Sequence, residues 1–362
     1  MNPQTTVRVA LPQTPYDIVL GSGIRRDAAT YFAKWTAGAK HAVVITDTNV
    51  DGRYAEALAE TLANSGVETD VCVVEAGEES KCVDMADMLW QKLVQCGCDR
   101  KTVVVAVGGG VVGDLAGFVA ATLYRGLRFM QVPTTLLALV DSSVGGKVAV
   151  NLPQGKNLVG AFWQPVGVLA DMETLQTLDD RQYRAGLAEV VKYGVVLDRE
   201  FFEFLEANVA KIRAREEAVL VPIVSRCCEL KAQIVLEDEH ETSGRRAVLN
   251  YGHTFAHAVE KLSGYGVVLH GEAVGIGMMF AAELAMRLSP NDGQKEEIFL
   301  RQQALLRRLE IPYETPAIDR DAAISIMRRD KKAEEGTIRF ILPTTLGACE
   351  LREVPHLERY YR

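Results

Sequence analysis

The sequence predicts an α/β N-terminal half built on a mainly parallel sheet, followed by a mainly α-helical C-terminal half. Three observations carry that expectation. Short β-branched runs alternate with amphipathic stretches in the first part of the chain, the pattern of parallel strands joined by crossover helices. One of these runs leads straight into a glycine-rich turn and then a further helical stretch, which makes the sheet Rossmann-like and of a nucleotide-binding type. From Asp179 onward the apolar spacing becomes helical.

The elements follow in order. Residues 7–11 and 16–20 read as an opening hairpin, because Pro12 and Pro15 between them cannot donate to a central ladder. Residues 41–47 form a buried strand, 52–64 an amphipathic helix, 71–75 a strand, 85–95 a helix and 101–107 a third strand, with a helix over 115–124 after the glycines. Helical spacing then recurs over 181–196, 199–210, 216–236, 252–262 and 272–288. A late apolar run, 337–342, reads as a small strand returning to a sheet. The change of pattern places the boundary near 178, giving a nucleotide-binding α/β domain over 1–178 and a helical domain over 179–362, with the active cleft expected between them.

Charge and composition exclude several classes. Lys plus Arg number 40 against 48 Asp plus Glu, so the net charge of -8 provides no basic field for nucleic acid or an anionic membrane. Apolar runs such as 103–107 fall far short of the roughly 20 residues that span a bilayer, and the N-terminus lacks the basic start and apolar block of a signal peptide. A cytoplasmic location is expected. The seven cysteines form no C-x-x-C pair and read as small buried hydrophobes.

Three sets of residues carry chemistry. In Gly108-Gly109-Gly110-Val111-Val112-Gly113-Asp114 the glycines permit positive φ and close approach, so that backbone amides and a helix N-terminus can face a pyrophosphate. The acid that ordinarily follows about 20 positions on is missing near 130, and Asp47, at the end of an earlier strand, is the candidate ribose partner. His253 and His257 stand at i and i+4 on one helix face, His270-Gly271-Glu272 follows shortly, and Glu189 lies on another predicted helix. Imidazoles and a carboxylate with one open position suit a catalytic zinc. Spacing leaves His257 open as a fourth ligand, an acid–base group or a phosphate-binding group. Lys147 after Gly145-Gly146, Lys156 before Asn157, Lys192 at i+3 from Glu189, and Arg245-Arg246 before the histidine helix suggest a small anionic substrate bearing phosphate or carboxylate groups.

These stretches, together with 133–147, 156–162, 185–192, 249–257, 270–278 and 330–332, closely resemble the 3-dehydroquinate synthase family over essentially the whole chain. The resemblance implies a homodimeric enzyme of the shikimate pathway that depends on NAD and zinc, with cobalt as a substitute metal. Its substrate would be a sugar phosphate, 3-deoxy-D-arabino-heptulosonate 7-phosphate. Transient oxidation by NAD, phosphate elimination, re-reduction and intramolecular aldol closure would convert it to 3-dehydroquinate and phosphate. Carried over by motif, Glu189, His253 and His270 would bind zinc. NAD would meet Asp47, Glu78, Lys81, Gly110, Val111, Val112, Gly113, Asp114, Thr134, Thr135, Lys147, Lys156, Thr174, Leu175, Gln176 and Thr177. Asp141, Lys147, Asn157, Lys192, Lys231, Arg246, Asn250 and His257 would surround the substrate, Arg125 would reach the phosphate site of a neighbouring subunit, and Lys331 rather than Lys332 would lie near phosphate.

Three other readings compete with this one. A metal-dependent polyol or alcohol dehydrogenase joins similar halves but needs no phosphate clamp such as Lys147, Lys156 and Arg246. Another sugar-phosphate cyclase shares the metal and NAD motifs but needs no carboxylate site, for which Arg246 and Lys231 look suited. A non-enzymatic NAD-binding regulator would have no use for the metal and cationic positions.

Overall fold

The computed structural model describes residues 4–264, 266–330 and 337–361. The chain divides into two compact units: Met1–Leu178 with Leu220–His240, and Asp179–Val219 with Glu241–Arg362. Division at a single point near 178 therefore does not represent the returning segment, because an apolar helical pattern reveals that a face is buried and not which partner buries it.

The first unit is built on a seven-stranded sheet of order β1-β2-β9-β6-β5-β3-β4. Its strands are β1 (Thr5–Val9), β2 (Tyr16–Gly21), β3 (His41–Asp47), β4 (Glu68–Val74), β5 (Val103–Gly108), β6 (Arg128–Pro133) and β9 (Gly167–Asp171). β1 and β2 make the expected antiparallel hairpin, and every other neighbouring pair is parallel. Crossover helices cover both faces. On one face Val104 and Ala106 of β5 pack with α3 (Val83–Gln95) and α4 (Gly110–Thr122). On the other, Val103, Val105 and Val107 pack with Phe32 of α1 (Ala28–Trp35) and with Leu58 and Leu62 of α2 (Glu56–Asn64). The two buried faces explain why β5 reads as an unbroken apolar run rather than an alternation. β7 (Lys147–Leu152) and β8 (Gly155–Phe162) form a separate antiparallel ribbon.

The second unit contains α5 (Asp180–Leu197), α6 (Arg199–Ala207), α7 (Val209–Arg213), α9 (His253–Ser263), α10 (His270–Leu288), α11 (Gly293–Arg308) and α12 (Arg320–Asp330). Asp179 marks the change at the end of the sheet unit, its side chain capping α5 by accepting from the Arg181 and Gln182 amides at 2.8 and 3.3 Å. α8 (Glu217–Glu237) starts in this unit and, from Leu220, counts with the first. The late apolar run is indeed a strand, β10 (Ile338–Thr345), but it pairs antiparallel with β11 (Ala348–Val354) in a two-stranded sheet of their own. Among the described residues no helix is long and apolar enough to cross a membrane.

Glycine governs how closely the helices of the second unit pack. A Cβ on Gly277 of α10 would lie 2.0 Å from the carbonyl oxygen of Gly252, the residue that precedes α9, and Gly252 itself has a φ of 81°. Backbone cannot yield as a flexible side chain can. Gly277→Ala is therefore expected to lower stability by about 3 kcal/mol or more, read as an earlier urea midpoint, whereas Gly293→Ala, where an added Cβ meets nothing within 4 Å, serves as the neutral control. An unchanged midpoint for Gly277→Ala would contradict this account of the packing.

Candidate active site

Strand direction gathers the sheet-borne candidates. Because β4, β3, β5, β6 and β9 run parallel, their carboxyl ends fall on one edge of the sheet. Asp47 ends β3. Glu78 and Lys81 follow β4, the glycine turn follows β5, Thr134 and Thr135 follow β6, and Thr174, Leu175, Gln176 and Thr177 follow β9. The chain leaves β3 toward β4 on one side and returns to place β5 on the other. This is a topological switch point, where ligands of open α/β sheets bind.

The turn itself differs from expectation in one respect. None of Gly108, Gly109, Gly110 or Gly113 has a positive φ; glycine is needed there for space. Added Cβ atoms would lie 2.7 Å from Val112 at Gly108, 3.0 Å from Thr135 at Gly109 and 3.1 Å from Ser142 at Gly110. Gly109 caps α4 without a side chain, so the first-turn amides of that helix, which include those of Val111 and Val112, face outward for an anion. Thr134 Oγ1 is buried with no hydrogen-bond partner among the described residues, an orphan that a polar ligand at this edge would satisfy. The residues present thus fit a dinucleotide.

Charges around the edge are held in place. Asp47 accepts from the amides of Asn49 and Val50 at 2.9 and 3.1 Å, while burial pushes its carboxyl up. Lys81 pairs with Asp114 at the start of α4, and burial raises the Asp114 carboxyl against the pull of that ammonium. Thr177 is hydrogen-bonded to the Tyr54 hydroxyl. Lys231 on α8 reaches Asp141, its Nζ lying 2.5 Å from the carbonyl and 2.6 Å from the carboxylate. The ribbon carries Lys147, exposed at the start of β7, with Lys156 and Asn157 on β8. Asn151, a residue that sequence reasoning passed over, ties these parts together: its amide donates to Glu78 Oε1 at 2.7 Å, its backbone N–H to the Lys81 carbonyl at 2.8 Å, and its Oδ1 accepts from the Asn157 N–H at 2.9 Å. Arg125 is exposed at the end of a short turn where both it and Tyr124 adopt left-handed φ.

The second unit holds the metal-type group. Glu189 on α5, His253 at the start of α9 and His270 at the start of α10 each offer one ligand atom, all within 4.8 Å of one another. Close backbone approach puts them there. A Cβ on Gly271 would fall 1.9 Å from the Ala185 carbonyl, so α10 starts against α5 one turn before Glu189, just as Gly277 lets α10 approach the start of α9. Arg181 grips Glu272 at 2.6 and 2.7 Å, and Glu272 in turn accepts from the Leu269 amide, which pins the first turn of α10. Glu272 is therefore a structural partner. His253 Nε2 and His270 Nε2 stand 3.6 and 3.9 Å from Glu189 Oε1.

Electrostatics favour a cation there. Glu189 is fully buried, neither of its oxygens accepts a well-formed hydrogen bond among the described residues, and Lys192 Nζ sits against it. A buried carboxylate costs several kcal/mol unless it is compensated. Burial, then the charge of Lys192 and the two neighbouring imidazoles, hold His253 well below its ordinary value, so its ring is neutral and able to donate a lone pair. The donor set fits a divalent metal. His257 lies a turn further on, its ring centroid 5.9 Å from that of His253 and outside the three-atom group. Arg246, buried, and Asn250 lie on the short helix Arg245–Asn250 just before α9. Lys331 lies outside the described residues. Of the cysteines, Cys72, Cys98, Cys227 and Cys228 are buried and Cys82, Cys96 and Cys349 only half so; burial pushes the Cys98 and Cys228 thiols up to about 12, which makes them inert.

The class that these parts fit is an α/β enzyme with a sheet edge suited to a dinucleotide and a carboxylate–imidazole group suited to a divalent metal. Residues 71–185 match the 3-dehydroquinate synthase N-terminal family and 186–333 the 3-dehydroquinate synthase C-terminal family. The chain belongs to the 3-dehydroquinate synthase family. It is 45% identical over 350 residues to 3-dehydroquinate synthase of Rhodopirellula baltica, covering 95% of this chain and 92% of that protein. Among solved structures it is similar to a 2-deoxy-scyllo-inosose synthase complexed with carbaglucose-6-phosphate, NAD+ and Co2+, at 27% identity and a TM-score of 0.86 over 97% of each chain. It is equally similar, at 27% identity and a TM-score of 0.86 over 97% of this chain and 96% of that one, to 2-epi-5-epi-valiolone synthase from Streptomyces hygroscopicus with NAD+ and Zn2+ bound.

Alanine at Glu189, His253 or His270 is expected to lower the zinc content of the purified protein, measured by atomic emission, and His257→Ala to leave it intact. Undiminished zinc in all three ligand variants would remove the assignment.

Proposed function

We propose that the chain converts 3-deoxy-D-arabino-heptulosonate 7-phosphate to 3-dehydroquinate and phosphate, in the cytoplasm and as a homodimer, using NAD and zinc, with cobalt able to substitute. The observation that carries the reading is the Glu189–His253–His270 group, its carboxylate buried and Lys192 against it, in a chain whose sheet edge offers a dinucleotide cradle and whose relatives are named for this product. NAD, held at the sheet edge, would supply a reversible hydride acceptor, and a metal held by Glu189, His253 and His270 would supply Lewis acidity toward a substrate hydroxyl.

The chain's own residues bind and orient. Asp47, Glu78, Lys81, Asp114, Thr134, Thr135, Lys156 and the 174–177 turn serve the cofactor, and the amides at the start of α4 take its pyrophosphate. Lys147, Lys192 and Arg246 recognise the charged ends of the substrate, with Lys331 and a partner subunit's arginine at position 125 completing the phosphate contacts. Asn157, Asn250 and His257 hydrogen-bond its hydroxyls. Lys231 is held by Asp141 in one orientation and so presents a fixed ammonium. Ordering one flexible substrate among these groups favours the final ring closure by proximity.

The dehydrogenase alternative fails to use the phosphate-type cations, and the other cyclases lack a use for a carboxylate clamp. Replacing Lys147 or Arg246 by Met is expected to weaken a non-reactive phosphonate analogue of the substrate by about 2 kcal/mol, measured by calorimetry. Unchanged affinity in both variants would count against their role. Cofactor stoichiometry separates the classes: many turnovers per added NAD are expected, with phosphate released in step with carbocycle. NADH accumulating one-for-one with a ketone that keeps its phosphate would replace this reading with the dehydrogenase.

A further inference from the structure

Glu260 lies on α9, seven residues after His253, and is only 3% exposed. The chemistry above makes no use of it. A buried carboxylate is expensive unless donors or positive charge compensate it, and one group that it faces belongs to the metal-type cluster. Its Oε2 lies 3.4 Å from His270 Nδ1, and the same ring turns Nε2 toward Glu189 Oε1 at 3.9 Å. His253 is arranged alike: Nδ1 meets the Tyr251 carbonyl at 3.1 Å while Nε2 faces Glu189 at 3.6 Å. A neutral imidazole carries one N–H, and donating it from Nδ1 leaves the Nε2 lone pair for a ligand. The two rings differ in one respect. The acceptor behind His253 is a neutral carbonyl, whereas the acceptor behind His270 is a carboxylate, which also strengthens the ring as a donor.

We propose that Glu260 is a positioning residue for the metal. It holds His270 in the Nδ1–H tautomer with Nε2 turned into the ligand group, and its charge raises the affinity of that group for a divalent cation. The proposal rests on the reading that Glu189, His253 and His270 bind metal. It also explains a buried acid on α9: α10 begins with His270, the half-exposed member of the triad, whose ring has the most freedom to turn away.

The test is zinc affinity of the full-length protein, stripped of metal and titrated in competition with a chromogenic chelator, with thermal unfolding followed in parallel. Glu260→Ala is expected to weaken zinc by about 10- to 100-fold. Glu260→Gln, which keeps an oxygen acceptor without the charge, is expected to fall between that variant and the wild type, and it carries the test should the alanine variant not fold. In a His270→Ala background, Glu260→Ala is expected to cause no further loss, whereas a residue that merely supported α9 would go on weakening zinc. Wild-type affinity in both Glu260 variants, or an equal loss in the His270→Ala background, overturns the proposal alone. Failure of the wild type to bind zinc or cobalt overturns the metal reading and the proposal with it.

Discussion

Strand direction is the constraint on which the rest of the molecule depends. With β4, β3, β5, β6 and β9 all parallel, successive ones must be joined by crossovers over a face of the sheet, and both faces are thereby buried. The same rule delivers every segment after a strand to one edge. Residues far apart in sequence, from Asp47 to Thr177, become neighbours there because the sheet has a polarity and not because any of them attracts another.

In the second unit the equivalent constraint is backbone proximity. Gly271 against Ala185 and Gly277 against Gly252 allow three helices to meet where ordinary side chains would hold their axes 8–10 Å apart. Glu189 can then be buried with two imidazoles and an ammonium around it instead of water. Closely packed helices supply the rigidity that a ligand group needs, and the charges supply the compensation that a buried carboxylate needs.

Local pattern explains what the sequence reveals and what it does not. β3 and β5 were legible because fully buried strands leave continuous β-branched runs between turn residues, and Glu189, His253 and His270 because ligand chemistry is written in residue type and spacing. β6, β7 and β8 are not, since Arg128, Gln131 and the polar, glycine-bounded ribbon interrupt such a run, and the ribbon reads as motifs instead of strands. β9, all five of whose residues are buried, is a run of the legible kind that the sequence reading passes over. Of the two reasons that the sequence offers for the turn glycines, close approach holds and positive φ does not; both demand the same residue, and only the folded backbone distinguishes them. Asn151 and Glu260 have no local signature at all: an amide or an acid becomes significant through partners brought to it by folding. The pairing of β10 with β11, rather than with the large sheet, is likewise a long-range choice that a short apolar run does not encode.

One consequence concerns how the protein is made. The first unit is not a continuous stretch of chain, since it is completed only by Leu220–His240. On a ribosome, the sheet and its early helices are synthesised well before the segment bearing Lys231, and all of Asp179–Val219 must emerge in between. The nascent first unit therefore waits for a portion of its neighbour, and neither unit can be obtained by cutting the gene at one place. A chain that leaves a unit and later re-enters it ties the biogenesis of the two together.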